Sequence, residues 1–164
     1  MVSVANGELE MDAIQLLRRD HRTAEKLFKE FERTGAKAKL IKKKLVKKII
    51  KELSLHAQVE EHIFYPAVQE AIGEHDLVLK AIEEHDLVKV LLEQLDKMAP
   101  DEDRFNPKVT VLIENVRDHV YQEEGEIFPK LKEALKPAQL RDLGTRLEEG
   151  KKAIQNPKDY IRLN

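Results

Sequence analysis

The sequence predicts an all-α protein: an up-down-up-down antiparallel four-helix bundle with a short fifth helix at its C-terminal side. Charged residues make up 37% of the 164 residues while Gly and Pro number six each, a balance that favours long solvated helices over a turn-rich β fold. Apolar residues recur at alternating spacings of three and four over four long stretches. The connections between these stretches are mostly short, which makes neighbouring helices antiparallel.

The first stretch carries Ile14, Leu17, His21, Ala24, Phe28 and Phe31 in its seam, and Thr34-Gly35 starts the first connection. The second runs over about residues 37–71 with Leu45, Ile49, His56, Glu60, Ile63 and Ala67 on one face, and Gly73 ends it. The third, about residues 74–98, has Val78, Ile82, His85, Val88, Leu92 and Leu95 in its seam, and APDEDRFNP at 99–107 reads as a loop. The fourth, about residues 108–135, turns Val109, Leu112, Val116, His119 and Glu123 inward. Pro137 opens the fifth helix, which ends near Ile154. Pro66 and Pro129 lack an N–H, so each is expected to kink or end its helix. With 41% apolar residues, enough for one core, residues 1–164 are expected to form a single domain, its bundle over about 12–135 and its C-terminal helix over about 137–154.

Composition narrows the chemistry. The chain has no cysteine, which excludes disulfides, thiolate zinc sites, iron–sulfur clusters and a cysteine nucleophile. A net charge of −2 offers no overall attraction to nucleic acid or an anionic membrane, and neither is expected as a partner. No apolar run approaches the roughly 18 residues needed to span a bilayer, and MVSVANGELE does not read as a leader, so a cytosolic location is expected.

An internal repeat carries the strongest signal. HAQVEEHIFYP at 56–66 and HVYQEEGEIFP at 119–129 share His, two adjacent Glu and Pro at the same offsets. His21 precedes His56 by about the same interval as His85 precedes His119, so the chain reads as two similar helical hairpins. A His and a Glu four apart project from one face of a helix, and His56/Glu60 and His119/Glu123 are each a preformed pair of metal ligands. Both glutamates take inward positions, where an unpaired carboxylate costs roughly several kcal/mol and a cation removes that cost. Counting from the turns brings Glu60, His85 and His119 to one level, and His21 joins them if the first connection takes up several residues. A lone inward histidine is usually a satisfied core residue. Four at one level with two glutamates depart from that pattern, and imidazoles with carboxylates suit iron or manganese, and also zinc. The residues three before each histidine include no Glu, which separates the chain from ferritin-like Glu-x-x-His bundles.

The order His, HxxxE, His, HxxxE, with the endings EEHIFYP and EEGEIFP, resembles the hemerythrin-like cation-binding family over about residues 12–135. The resemblance implies two iron ions with an oxo or hydroxo bridge. It makes His21 and His56 ligands of one iron and His85 and His119 ligands of the other, with Glu60 and Glu123 bridging. Oxygen-carrying members have a further His where this chain has Ala81, and HxxxxD in the fourth helix. Glu124 stands at that five-residue offset and Glu61 at its repeat equivalent, both ranked behind Glu60 and Glu123 because adjacent helical positions point about 100° apart. Without the further His one iron is left open to water, peroxide or another small molecule. The implied partner is O2, H2O2 or NO, handled by an oxygen binder or sensor, by a peroxidase-like, catalase-like or NO-reacting enzyme, or by an iron storage or delivery protein. A bundle with no metal is the remaining alternative.

Other features receive simpler readings. His75 and His62 belong to helix surfaces, and the lysines of KKKLVKKIIK at 42–51 to a solvated face. Tyr65 and Tyr121 are candidates to line the pocket, and Asp20, Asp86 and Asp118 to orient imidazoles from outside.

Overall fold

The computed structural model describes residues 4–5 and 8–162. Its helices are α1 (Ala13–Arg33), α2 (Lys39–Val59), α3 (Tyr65–Ile72), α4 (His75–Lys97), α5 (Phe105–Gln122), α6 (Phe128–Ala134), α7 (Pro137–Ala153) and α8 (Asp159–Arg162). A π-turn over Glu60–Phe64 joins α2 to α3, and a second over Glu123–Ile127 joins α5 to α6. The chain is thus all-helical in the expected bundle order of four rods, two of them interrupted by a π-turn. A two-residue ladder pairing Val4–Ala5 with Glu8–Leu9 precedes α1, and the four-residue α8 lies beyond the fifth helix; neither is legible in the periodicity.

Local chemistry sets the boundaries. Asp12 caps α1 reciprocally: its Oδ1 accepts from the Gln15 N–H at 2.9 Å, and Gln15 Oε1 accepts from the Asp12 N–H at 3.1 Å. Gly73 ends α3 in the left-handed region at φ 65°, as its position after the seam predicts. Lys43, expected on a solvated face, instead turns under the end of α4. Its Nζ donates to the carbonyls of Met98 at 2.7 Å and Leu95 at 3.1 Å, at the negative end of the helix dipole. Lys42 is also buried, its ammonium 5.3 Å from the centre of the Phe31 ring, while Lys44, Lys47, Lys48 and Lys51 are exposed as expected.

Pro66 and Pro129 do not end their rods. Each lies at the start of the helix just beyond a π-turn, where the wider turn accommodates both the missing N–H and the ring. The extra residue also rotates the rest of the rod. The inward positions after Glu60 are Phe64, Tyr65 and Val68 rather than the Ile63 and Ala67 that an unbroken α-period places there.

The core is split. One apolar cluster joins Phe28, Ile49, Leu92 and Leu112 with Tyr160 and Ile161 of α8; another joins Leu17, Phe64, Val78 and Phe128 with Leu143 and Leu147 of α7. The buried polar residues His21, Glu60, His85, His119 and Glu123 belong to neither cluster. α7, whose 17 residues fill the expected span of about 137–154, packs along α1 and crosses its start at Gly144. A Cβ there would sit 2.4 Å from the Met11 carbonyl oxygen and 2.9 Å from the Ala13 nitrogen. Gly144→Ala is therefore expected to destabilise the protein by about 1–3 kcal/mol, since backbone cannot yield as a side-chain tip can. A melting temperature equal to that of the wild type would contradict this close approach.

Candidate metal centre

Four rods deliver the six candidate residues to one level. α1 supplies His21, α2 His56, α4 His85 and α5 His119, and Glu60 and Glu123 are the first residues of the two π-turns. The Tyr65 N–H bonds the Glu60 carbonyl and the Phe128 N–H that of Glu123, each an i→i−5 bond closing a turn on its glutamate. The first connection, residues 34–38, is long enough to bring His21 level with the others.

The side-chain atoms converge in two groups, each with its members within 4.8 Å of one another: His21, His56, Glu60 and Glu123, and Glu60, His85 and His119. Glu60 belongs to both. His56 Nε2 lies 2.9 Å from Glu60 Oε1, and His21 Nε2 lies 3.2 Å from Glu123 Oε1. These four atoms are buried and face only one another, with no partner outside the group, so the first group presents four nitrogen and oxygen donors around one point. Donors so enclosed and turned toward a common point fit a cation held among them. In the second group His85 Nε2 is 3.0 Å from Glu60 Oε2 and 3.1 Å from His119 Nε2.

Tyr65 enters this second group directly. Its hydroxyl lies 2.8 Å from Glu123 Oε2 and 3.1 Å from Glu60 Oε2, so its proton serves one carboxylate or the other. The same oxygen is 3.2 Å from His85 Nε2 and 3.3 Å from His119 Nε2. The residue at the same offset in the other hairpin is Phe128, which stacks on His21 at a ring separation of 5.8 Å. The two halves are therefore alike in ligands and unlike in this one hydroxyl. Tyr121, the other candidate, is 82% exposed and takes no part.

Each imidazole also meets a carboxylate on its outer edge. His56 Nδ1 is 3.0 Å from Asp20, His21 Nδ1 is 2.9 Å from Glu124, His119 Nδ1 is 3.4 Å from Glu84, and His85 Nδ1 is 3.6 Å from Glu61. Glu61 and Glu124 thus lie outside the central cluster and steer histidines of the opposite hairpin. Of the aspartates named from sequence only Asp20 has this position; Asp86 and Asp118 are exposed. Glu84 escapes the sequence reading although it immediately precedes His85, as Asp20 precedes His21. His62 and His75 are on the surface, as expected.

The electrostatics derive from these pairs. Burial alone would lower the His56 pKa, but the Glu60 charge and the Asp20 hydrogen bond outweigh it and raise it to about 10. Burial likewise opposes, and hydrogen bonds to Glu123 and Glu60 overcome, in raising His119 well above its ordinary value. Burial would raise the Glu60 pKa, yet the surrounding imidazoles hold it well below the usual carboxylate range. Tyr65 is pushed well up, by burial first and then by the Glu123 and Glu60 charges.

Access is narrow. A cavity of about 40 Å³ reaches His21, His56, His85 and His119 between apolar walls that include Ala24, Leu53, Val88 and Val116. A second, of about 10 Å³, lies beside Ala81, His119 and Glu123.

A helical bundle with buried His and Glu clusters that fit a metal ion defines a cation-binding protein built on paired hairpins. The chain belongs to the hemerythrin family, for the profile of the hemerythrin HHE cation binding domain matches residues 12–131. A hemerythrin HHE cation binding domain-containing protein from Mycobacterium kansasii shares the fold, with a TM-score of 0.75 over 93% of this chain and 98% of that one at 20% identity. A protein of Nostoc sp. described as a DNA nickase is 30% identical over 154 residues, 94% of this chain and 43% of that protein. The chain thus spans less than half the length of that relative. Among the described residues no helix is long and apolar enough to cross a membrane.

Proposed function

We propose that this chain holds a two-iron centre that binds or reacts with a small oxidant, O2, H2O2 or NO. His21 and His56 would hold one ion and His85 and His119 the other, with Glu60 and Glu123 shared between them. The observation that carries this reading is the set of four buried atoms on His21, His56, Glu60 and Glu123 that converge on one point and have no partner outside their own group. Nitrogen and carboxylate donors without thiolate suit iron, with manganese or zinc as poorer matches. Two such ions supply the electrons that reduction of a small oxidant requires.

The protein residues do the remaining work. Glu124 and Asp20 hydrogen-bond the outer nitrogens of His21 and His56 and fix both rings with Nε2 inward. The apolar walls of the 40 Å³ cavity admit small molecules and exclude larger ones. The Tyr65 hydroxyl stands within hydrogen-bond reach of both glutamates, where it can hold or pass a proton. The test is metal content and absorption of the purified protein, then addition of peroxide or NO. Two irons per chain and consumption of either oxidant are expected; a metal-free chain would overturn the reading, and a loaded centre that binds O2 reversibly would make it a carrier.

The Nostoc relative suggests a second reading, cleavage of a phosphodiester, and the exposed lysines of α2 favour it as a place for a nucleic-acid backbone. The burial of the cluster favours the small-molecule reading, because a phosphodiester is too large for the cavity that reaches it. Incubation of supercoiled plasmid with metal-loaded protein separates the two.

The raised histidines give the metal-free protein a pH signature. A His held at about 10 when folded, against an ordinary 6.5, contributes stability fully present below about 6.5 and lost as pH rises through about 10. The melting temperature of metal-free protein is therefore expected to fall from pH 7 to pH 10. A profile flat over that range would show that His56 is not charged in the fold.

A further inference from the structure

The family match ends at residue 131, yet the segment beyond it reaches the centre. Lys151, in the last turn of α7, places its Nζ 2.6 Å from Asp20 Oδ1, while the other oxygen of Asp20 lies 3.0 Å from His56 Nδ1. This is a well-enclosed ion pair, with side chains 15% and 9% exposed. Among the described residues the other three outer carboxylates have no such enclosed partner. Glu84 faces Lys80 at 3.9 Å, but that lysine is 55% exposed; Glu124 is itself 36% exposed beside Arg18 and Arg22; and Glu61 is neighboured by the neutral Tyr160 of α8. One imidazole in four is thus tied through its carboxylate to an enclosed fixed positive charge.

A carboxylate on the Nδ1–H of a ligating imidazole increases the electron density that Nε2 offers a metal. A cation on the far oxygen draws that density back. We propose that Lys151 is a positioning residue for the metal centre, holding Asp20 against His56 and tempering its charge, so that the ion bound by His21 and His56 is more easily reduced than it would be without α7. The C-terminal helix thereby makes the two metal positions electronically unlike, from outside the region that defines the family. This inference rests on the two-iron reading, and its test separates the two.

The experiment is an anaerobic redox titration of iron-loaded wild-type protein and of Lys151→Met, Lys151→Gln, Lys151→Arg and Asp20→Asn, with iron counted first. Lys151→Met and Lys151→Gln, which remove the charge with and without loss of a donor, are expected to lower the potential of one iron of the two. Lys151→Arg is expected to restore it. Adding Lys151→Met to Asp20→Asn should then produce no further shift, because the lysine acts through that carboxylate. A lysine that only braces α7 would lower the melting temperature and leave both potentials in place, which would overturn the proposal. So would an equal shift in the Asp20→Asn background. Wild-type protein without iron would overturn the two-iron reading instead.

Discussion

Chelating the metal from loaded protein is expected to lower its melting temperature by about 8–16 °C. An ion that binds only the folded chain, present at a thousand times its dissociation constant, stabilises by about 4 kcal/mol, and a chain of this size shifts by about 2–4 °C per kcal/mol. The physical source is the set of donor atoms on His21, His56, Glu60 and Glu123, which have no partner outside their own group and would give the ion its binding energy. Differential scanning calorimetry with and without chelator measures the difference. Coincident transitions would mean that these atoms are satisfied without an ion.

Glu60→Gln is expected to reduce metal content from two ions to fewer than one per chain, whereas His85→Ala retains one. The contrast comes from geometry: Glu60 Oε1 faces His56 and its Oε2 faces His85, so one substitution weakens both positions. His85 belongs to one group alone, and its loss leaves His21, His56, Glu60 and Glu123 intact. Loss of a shared ligand is expected to weaken binding on the order of 100-fold or more, beyond the effect of removing an outer partner. Elemental analysis after desalting reads the stoichiometry, and equal contents in the two variants would count against a Glu60 shared between two ions.

The central six were legible because each signal was local. HxxxE puts two donors on one helical face, and the repeat of that pattern supplied the opposite face. The π-turns were not legible, since periodicity assumes a constant rotation per residue. That assumption carried Ile63 and Ala67 inward where the fold turns Phe64 and Val68 inward, and it left the Tyr65 hydroxyl without a reason to approach the ligands. Glu84 was within reach, because extending the hairpin repeat one residue before His21 and His85 pairs it with Asp20. Lys151 was not: 131 residues separate it from Asp20, and no spacing rule connects a charge on the fifth helix to a carboxylate on the first. Ala81 marks the reverse case. The resemblance to oxygen-carrying members implies a further histidine where Ala81 stands, and the structure shows Tyr65 on the same half of the cluster, its oxygen between His85 and His119.

The polar layer between the two apolar clusters has a consequence for how the molecule holds together. Grease alone would let each end of the bundle order itself separately, because little apolar packing crosses the middle. The six side chains at that level belong to all four rods, so an ion clasped there would work as a keystone between the two clusters, which the continuous α1 and α4 already span. Metal binding and rigidity would then share a single address.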